Sequence, residues 1–272
     1  MVFEFLVSTK NAERHPWEMF FIGMIYSSLG LFLSYWIFKD YSSIVMVFLT
    51  VLASIHIIHG AFSNEEERDK KEVNEMFLLK SHGRVLTYFI FLFLGFTLGF
   101  AIWNIVLPTG MSDILFAAQQ GTIQSINAKF TGHAVSSAQA FTIIFLNNLR
   151  VLFFALLFSF FYGAGSIFIL AWNASVIAAA IASFFRSLVH GGILSAFSLA
   201  MLRYFTHGIP EVLAYFTAAL AGGIISIAII KHDYKSKRFK EILIDSVDLI
   251  LLSVGILFVA AVIEVYVTPL LF

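Results

Sequence analysis

Residues 145–173 read FLNNLRVLFFALLFSFFYGAGSIFILAWN, a long apolar run that is interrupted by polar residues. The strongly polar residues in it are Asn147, Asn148, Arg150 and Asn173. Polar side chains are costly in hydrocarbon and usually face other protein or a water-filled cavity. Residues 163–166, Gly-Ala-Gly-Ser, divide the run at a point where a tight turn is favoured. The stretch therefore predicts two helices of a membrane bundle rather than a single lipid anchor.

The composition of the whole chain is typical of a membrane protein. Its 272 residues are 60% hydrophobic and 12% charged, whereas soluble domains carry about 25% charged residues. The formal net charge is zero, so charge gives no reason to expect a nucleic-acid partner. The chain contains no cysteine, which excludes disulfides, thiol catalysis and thiolate metal sites.

Seven apolar segments are long enough to cross a bilayer, and they predict an all-α polytopic membrane helix bundle of about seven transmembrane helices. The predicted spans are 17–38, 43–62, 84–107, 141–162, 167–185, 209–230 and 247–268. One or two further helices are expected at the interface. Residues 111–140 predict a helix on the membrane surface or packed over the bundle, and 186–204 predict a short surface helix or a re-entrant segment. Gly95 and Gly99 lie four residues apart in the third span, which predicts close helix packing there.

The distribution of charge predicts the orientation of the chain. If the amino terminus is cytoplasmic and 186–204 does not cross, twelve basic residues lie inside and four outside, in agreement with the positive-inside rule. The inner residues are Lys10, Arg14, Arg68, Lys70, Lys71, Lys80, Arg84, Lys231, Lys235, Lys237, Arg238 and Lys240; the outer ones are Lys39, Lys129, Arg186 and Arg203. We therefore expect a multi-pass protein of the cell membrane with a cytoplasmic amino terminus.

Arg150 and Glu211 are the ionisable residues that we expect to meet within the membrane. The predicted spans place both near the outer ends of neighbouring helices, where an unpaired buried charge is unstable. The sequence therefore predicts an Arg150–Glu211 ion pair, acting either as a structural clamp or as a gate or solute-binding pair. The predicted intramembrane polar cluster comprises Asn147, Asn148, Arg150, Asn173, His207 and Glu211.

The sequence predicts no catalytic, cofactor or metal site. His56 and His59 share a helix face, but no third metal ligand follows at a fixed spacing. An intramembrane serine protease would need Ser166 within hydrogen-bonding reach of His190 or His207. The predicted topology puts Ser166 at the inner end of its helix and both histidines outside, so we expect no enzyme of this kind. Nucleotide-binding fingerprints and an HExxH motif are also missing from the sequence.

Several short motifs resemble those of the stage II sporulation protein M family of integral membrane proteins. They are residues 145–150 (FLNNLR), the Gly163–Gly165 break, Trp172-Asn173 with Ala178-Ala179-Ala180, His207-Gly208 with Glu211, and Gly222-Gly223. The likeness covers about 141–230 and is weaker over 84–107. This chain has Ala174 where the family often has Gly and Thr206 where Pro is common, and Pro210 precedes Glu211 rather than following it.

The resemblance implies a non-enzymatic membrane scaffold or assembly partner. In spore-forming bacteria the family member is a membrane scaffold of a complex that remodels peptidoglycan, and relatives occur in bacteria and archaea that form no spores. It implies membrane-protein partners or self-association within a lipid bilayer, and no nucleic acid. We expect residues 1–83 to form a transmembrane hairpin with a charged cytoplasmic segment, 84–230 to form the family-like helical core, and 231–272 to form a basic loop and the last transmembrane helix.

A channel or transporter is the alternative function that the residues themselves allow. The predicted polar cluster lies beside a broken helical region, and transporters use this combination to build intramembrane binding sites.

Overall fold

The described part of the chain is a bundle of α-helices, in a computed structural model that covers residues 15–69, 75–128, 136–162, 166–231 and 237–271. No β-strand occurs in these ranges. The helices are α1 (Glu18–Ile37), α2 (Ser42–Asp69), α3 (Glu75–Val106), α4 (Thr109–Leu115), α5 (Ala117–Ala128), α6 (Ser137–Tyr162), α7 (Ser166–Leu188), α8 (Ile193–Lys231), α9 (Lys237–Val262) and α10 (Thr268–Leu271). Short 3-10 turns occupy Lys39–Tyr41 and Val189–Gly191, and a π-helical turn, Ile263–Val267, joins α9 to α10.

Six of the described helical segments are long and apolar enough to cross a membrane. They are Glu18–Ile37, Leu86–Val106, Ser137–Phe161, Ser166–Leu188, Ile193–Ser226 and Phe239–Leu271. The second predicted span, 43–62, falls in α2, whose side chains are described only in part. These segments confirm the predicted all-α membrane helix bundle.

Some features singled out in the sequence lie outside the described residues. They are the Gly163–Gly165 break, residues 70–74 and 232–236 of the charged segments, and the side chains of His56, His59 and most other residues of those segments.

Residues 186–204 do not form the separate surface helix or re-entrant segment that the sequence predicts. A tight turn after α7 ends at Gly192, whose φ of 122° suits glycine. From Ile193, α8 continues unbroken for 39 residues to Lys231. Pro210 lies inside this helix instead of opening one, as membrane helices allow when neighbouring groups satisfy the freed backbone. The turn at 189–192 therefore joins two spans directly.

The segment 111–128, within the polar stretch 111–140, packs over the bundle, which is one of the two predicted arrangements. It contains most of α4 and all of α5. Leu115, the last residue of α4, and Phe116, which joins the two helices, are fully buried. The Gln119 amide donates to the Ser43 backbone oxygen at 2.9 Å and to Ser175 Oγ at 3.1 Å. These bonds hold α5 against α2 and α7.

Small residues allow two helix pairs to touch through their backbones. A Cβ built on Gly99 would lie 3.2 Å from the Met24 Cα, and one built on Gly95 would meet α1 equally closely. These contacts confirm the close packing that the sequence predicts at Gly95 and Gly99. Between the parallel helices α6 and α8, a Cβ on Gly222 would lie 2.5 Å from the Leu156 backbone oxygen.

A basic residue ties the end of α7 to the end of α3. The Arg186 guanidinium donates to the Asn104 backbone oxygen at 2.5 Å and to its side-chain oxygen at 2.9 Å. It also donates to Ser112 Oγ at 3.2 Å, in α4. The Arg186 clamp, meaning Arg186 with Asn104 and Ser112, therefore fixes three helices at one end of the bundle.

Candidate functional site

Two glutamates from distant parts of the sequence meet between α8 and the π-helical turn that follows α9. The Glu211 carboxyl on α8 forms a side-chain hydrogen bond with the Glu264 carboxyl. From the other side, Asn148 Nδ2 on α6 donates to Glu211 Oε1 at 2.5 Å. Glu211 is 9% exposed. We call Glu211 and Glu264 the carboxyl pair, and it joins three membrane-spanning segments at one point.

The chemistry of the carboxyl pair requires a shared proton. An ionised carboxylate accepts hydrogen bonds but has no hydrogen to donate. A hydrogen bond between two carboxyl groups therefore means that one of them is protonated. Two carboxylates in contact in a low-dielectric site repel each other strongly, so a single shared proton is the stable arrangement. The site can therefore hold a proton within the bundle.

A second contact between the same helices lies one turn from the carboxyl pair. His207 precedes Glu211 by four residues on α8, and Thr268 follows Glu264 by four residues, so each pair shares a helix face. Thr268 Oγ1 lies 3.4 Å from His207 Nδ1, and it also bonds to the Ile263 backbone oxygen at 3.2 Å. The two polar contacts align α8 with the end of α9.

The backbone around Glu264 departs from a regular α-helix. Residues Ile263–Val267 form a π-helical turn, a feature that often occurs at functional sites because it widens the helix locally. The turn contains Glu264 and ends where Thr268 begins α10. The turn therefore carries Glu264 and directly precedes Thr268, and both of these residues contact α8 through polar groups.

The carboxyl pair lies near the middle of the membrane-spanning bundle. Gly222 packs on Phe160 near the end of α6, and Arg203 stacks on Phe184 near the end of α7, on the opposite side of the bundle. Along α8, Glu211 is about 16 Å from Gly222 and about 12 Å from Arg203 at 1.5 Å per residue, compared with a hydrocarbon core about 30 Å thick. Glu211 is therefore near mid-depth rather than near an outer helix end, because α8 begins at Ile193 and not at 209.

The structure brings together part of the predicted polar cluster. Asn148 contacts Glu211, and Asn147 Nδ2 lies 3.4 Å from Asn148 Oδ1. His207 lies one turn away on the same face of α8. Asn173 does not join them, since its amide donates to the Ile169 backbone oxygen of its own helix at 2.8 Å.

The predicted Arg150–Glu211 ion pair is not formed. Arg150 is exposed and has no hydrogen bond or ion pair with any described residue. Residues two apart on a helix point to nearly opposite sides. Because Asn148 faces Glu211, Arg150 must face away from α8. The partners of Glu211 are an amide and a second carboxyl instead of a guanidinium.

Glu264 is the site residue that the sequence reasoning missed. It is the one acidic residue in the apolar stretch 249–268. An ionisable residue inside a membrane span is by default a candidate for function, so this rule applied to Glu264 would have identified it. The π-helical turn that carries it has no comparable sequence signal.

Ser166 and residue 190 lie at opposite ends of α7. The helix begins at Ser166 and ends at Leu188, which separates the two positions by about 35 Å along the axis. A histidine at 190 is therefore out of reach of Ser166, as the predicted topology requires. The second histidine, His207, has its Nδ1 atom 3.4 Å from Thr268 Oγ1.

Comparison with known proteins places the chain in a family. The family described as Stage II sporulation protein M matches residues 44–269. This match extends beyond the motif-bearing region 141–230 on both sides and includes the carboxyl pair. No curated protein and no solved structure matches the chain. Because the match covers most of the 272 residues, and because the helices are apolar and long enough to span a bilayer, this integral membrane protein belongs to the stage II sporulation protein M family.

Proposed function

We propose that this chain is a non-enzymatic membrane scaffold that assembles membrane-protein partners, as its family membership implies. One observation carries the proposal: several polar groups buried between the helices form hydrogen bonds from one helix to another. In lipid, hydrogen bonds between helices and close backbone packing hold a bundle in a defined arrangement. A fixed arrangement of helices is what a platform for other proteins requires.

These contacts connect helices that are far apart in the sequence. The interhelical sets are Asn148 with Glu211 and Glu264, Arg186 with Asn104 and Ser112, Gln119 with Ser43 and Ser175, and Ser159 with the Ala219 backbone. They occur at both ends and near the middle of the bundle. Such a distribution supports a rigid body over its whole membrane depth.

The proposal includes the orientation and the compartment. We infer a cell-membrane protein with a cytoplasmic amino terminus, since the positive-inside rule favours placing the Lys- and Arg-containing segments 63–84 and 231–240 on the cytoplasmic side. The three regions 1–83, 84–230 and 231–272 are kept as a proposed division, with 84–230 as the helical core.

Chemical cross-linking in native membranes followed by affinity purification tests the scaffold function. We expect defined membrane-protein partners to be recovered with the wild-type chain in several detergents. Gly95→Leu, which forces α1 and α3 apart, is expected to lose them, whereas Gly255→Ala, at a position with open space around it, is expected to keep them. A wild-type chain that recovers no partner in any detergent or lipid contradicts the proposal.

A channel or transporter is the second candidate, and the carboxyl pair at mid-depth favours it. Exchangeable acidic groups inside membrane spans serve as proton relays in transporters and pumps. The π-helical turn beside Glu264 gives the end of α9 a local irregularity of the kind that lines intramembrane sites.

Flux measurements in vesicles test this second candidate. The reconstituted protein is exposed to a pH gradient, and then to gradients of common ions and small solutes. Transport would be lost in Glu211→Gln and kept in Asp248→Asn, which changes an exposed carboxylate on α9. Folded wild-type protein that carries no flux rules the transporter out and leaves the scaffold.

A further inference from the structure

Arg150 is an exposed charge halfway along a membrane-spanning helix. Helix α6 begins at Ser137 and ends at Tyr162, so Arg150 lies about 20 Å from its start and about 18 Å from its end. Asn148, two residues before Arg150, contacts the carboxyl pair, which lies near mid-depth. This contact independently places Arg150 near the middle of the membrane. The guanidinium therefore projects from the outside of the bundle near the centre of the hydrocarbon layer.

Charged side chains at this depth almost always face protein or a water-filled cavity and are paired. Arg150 has no hydrogen bond or ion pair within the described ranges. An arginine is always protonated, so it cannot avoid the cost by losing its charge. Within the described ranges no carboxylate meets it, so the position suits a carboxylate supplied by a partner.

The surface around Arg150 has the shape of a helix-binding stripe. Leu146, Phe153, Phe154 and Phe161 on α6 have 45–63% of their surface exposed. With Arg150 they occupy one side of the helix, within an arc of about 100° at 100° per residue. Among the six candidate spans, α6 buries the smallest share of its residues, 17% compared with 72% for α8.

We propose that this stripe, named here the Arg150 face, binds a transmembrane helix of a partner protein that carries Asp or Glu near the middle of its span. The inference rests on the proposed scaffold function and specifies where and how a partner docks. The aromatic and leucine side chains pack against the partner helix, and the guanidinium binds its carboxylate in the two-pronged geometry that favours arginine.

A second copy of the chain fits the Arg150 face poorly. In a two-fold dimer the same surfaces meet, which would bring two guanidinium groups together. Among the described residues, the mid-depth carboxyls are Glu211 and Glu264, and these are bonded to each other. Asp248, which is exposed, lies sixteen residues before Glu264, about 24 Å away along the helix axis and far from mid-depth.

Energy transfer in lipid vesicles tests the proposal with a designed peptide. Because the chain has no cysteine, Thr142→Cys provides a single donor label at an exposed position of α6 beside the Arg150 face, and Leu252→Cys provides a label on α9 as a position control. The probe is a peptide of about 20 apolar residues with one central Glu and an acceptor label. The matched peptides carry Gln or Leu at that position.

We expect the Glu peptide to bind at least about tenfold more tightly than the Leu peptide, with transfer stronger from position 142 than from position 252. Arg150→Leu is expected to remove the difference between the peptides. Arg150→Glu is expected to reverse it in favour of a peptide with a central Lys. Equal binding of the Glu and Leu peptides overturns the proposal. The proposal is also overturned if energy transfer occurs between two labelled copies of the chain and Arg150→Leu abolishes it.

Cross-linking of Arg150→Leu in native membranes separates the failure of this inference from failure of the scaffold function. If native partners remain bound to Arg150→Leu, the Arg150 face is not their binding site and the proposed scaffold function still stands. If the chain binds the Glu peptide selectively but recovers no native partner, the binding role of the Arg150 face is supported and the scaffold function is contradicted.

Discussion

Gly95 of α3 and Gly23 of α1 meet backbone to backbone. A Cβ built on Gly95 would lie 3.0 Å from the Gly23 Cα, and a Cβ built on Gly23 would lie 3.1 Å from the Gly95 Cα. Both distances are tighter than ordinary Cβ contacts, and the Cβ on Gly23 would also lie 2.5 Å from the Leu92 backbone oxygen, a main-chain atom that has little freedom to move. The two helices therefore depend on the missing side chains at this crossing.

Gly95→Ala should destabilise the bundle by about 1–3 kcal/mol because it forces α1 and α3 apart. Thermal unfolding in detergent measures the effect. Gly255→Ala is the matched control, since a Cβ there meets open space and a helical glycine is about 0.5–1 kcal/mol less favourable than alanine. Equal stability of the two variants would contradict the close packing at Gly95.

Arg186→Leu should lower stability through the Arg186 clamp. The substitution removes bonds to the Asn104 and Ser112 oxygens, and hydrogen bonds to a charged group contribute about 1.5–3 kcal/mol. Arg150→Leu provides the comparison, because it removes the same charge from an exposed position without a described partner and should not destabilise the isolated chain. Chemical denaturation of both variants in the same detergent measures the contrast. If Arg150→Leu destabilises the protein more than Arg186→Leu, then Arg186 is not the arginine that stabilises the bundle and the assignment is wrong.

Glu264→Gln should be tolerated better than Glu264→Ala. Glutamine keeps a donor for Glu211, whereas alanine leaves a buried carboxyl without its partner, at a cost of about 1–3 kcal/mol. Thermal unfolding of the two variants at neutral pH distinguishes these outcomes. Equal loss in both would show that the Glu211–Glu264 hydrogen bond contributes little.

The shared proton also predicts how stability depends on pH. At low pH the proton is present and its bond holds α8 to the end of α9. Raising the pH until the proton is lost leaves two negative charges in contact, so this part of the stability disappears as the pH rises. His207, Tyr204, Tyr215 and Arg203 are the other titratable or charged groups nearby on α8, and all four are unchanged in Glu264→Gln. The unfolding temperature of wild-type protein should therefore fall more steeply with rising pH than that of Glu264→Gln.

His207 and Thr268 should show a measurable coupling in a double-mutant cycle. Their side chains lie 3.4 Å apart between α8 and α10, and hydrogen bonds between membrane helices contribute about 0.6 kcal/mol on average, with a maximum near 1.7 kcal/mol. The cycle uses His207→Leu, Thr268→Val and the double variant, with unfolding free energies as the readout. Strictly additive losses would mean that the two residues do not interact.

Apolar length predicts most of the fold, because each span needs its own run of hydrophobic residues. Apolar length does not predict that 193–204 belong to α8. Gly208 and Pro210 favour a helix start at about residue 209, but packing against α6, α7 and α9 stabilises a helix that passes through both residues. The site was predicted in part: Asn148 and Glu211 meet, but Arg150 faces outward. Helical geometry shows that positions 148 and 150 point in opposite directions, but tertiary packing decides which of them faces the core. The pairing with Glu264 depends on a π-helical turn that local sequence does not reveal.

The length of α8 also bears on which lipids suit this protein. Its 39 residues extend for about 58 Å, whereas the neighbouring α7, with 23 residues, extends for about 34 Å, close to the thickness of an ordinary bilayer. Ile193 and Leu194, at the start of α8, are 72% and 79% exposed and favour acyl chains over water. This hydrophobic mismatch is relieved by tilting or by locally thickening the lipid layer. The chain should therefore partition into domains of longer-chain lipids in preference to thin ones.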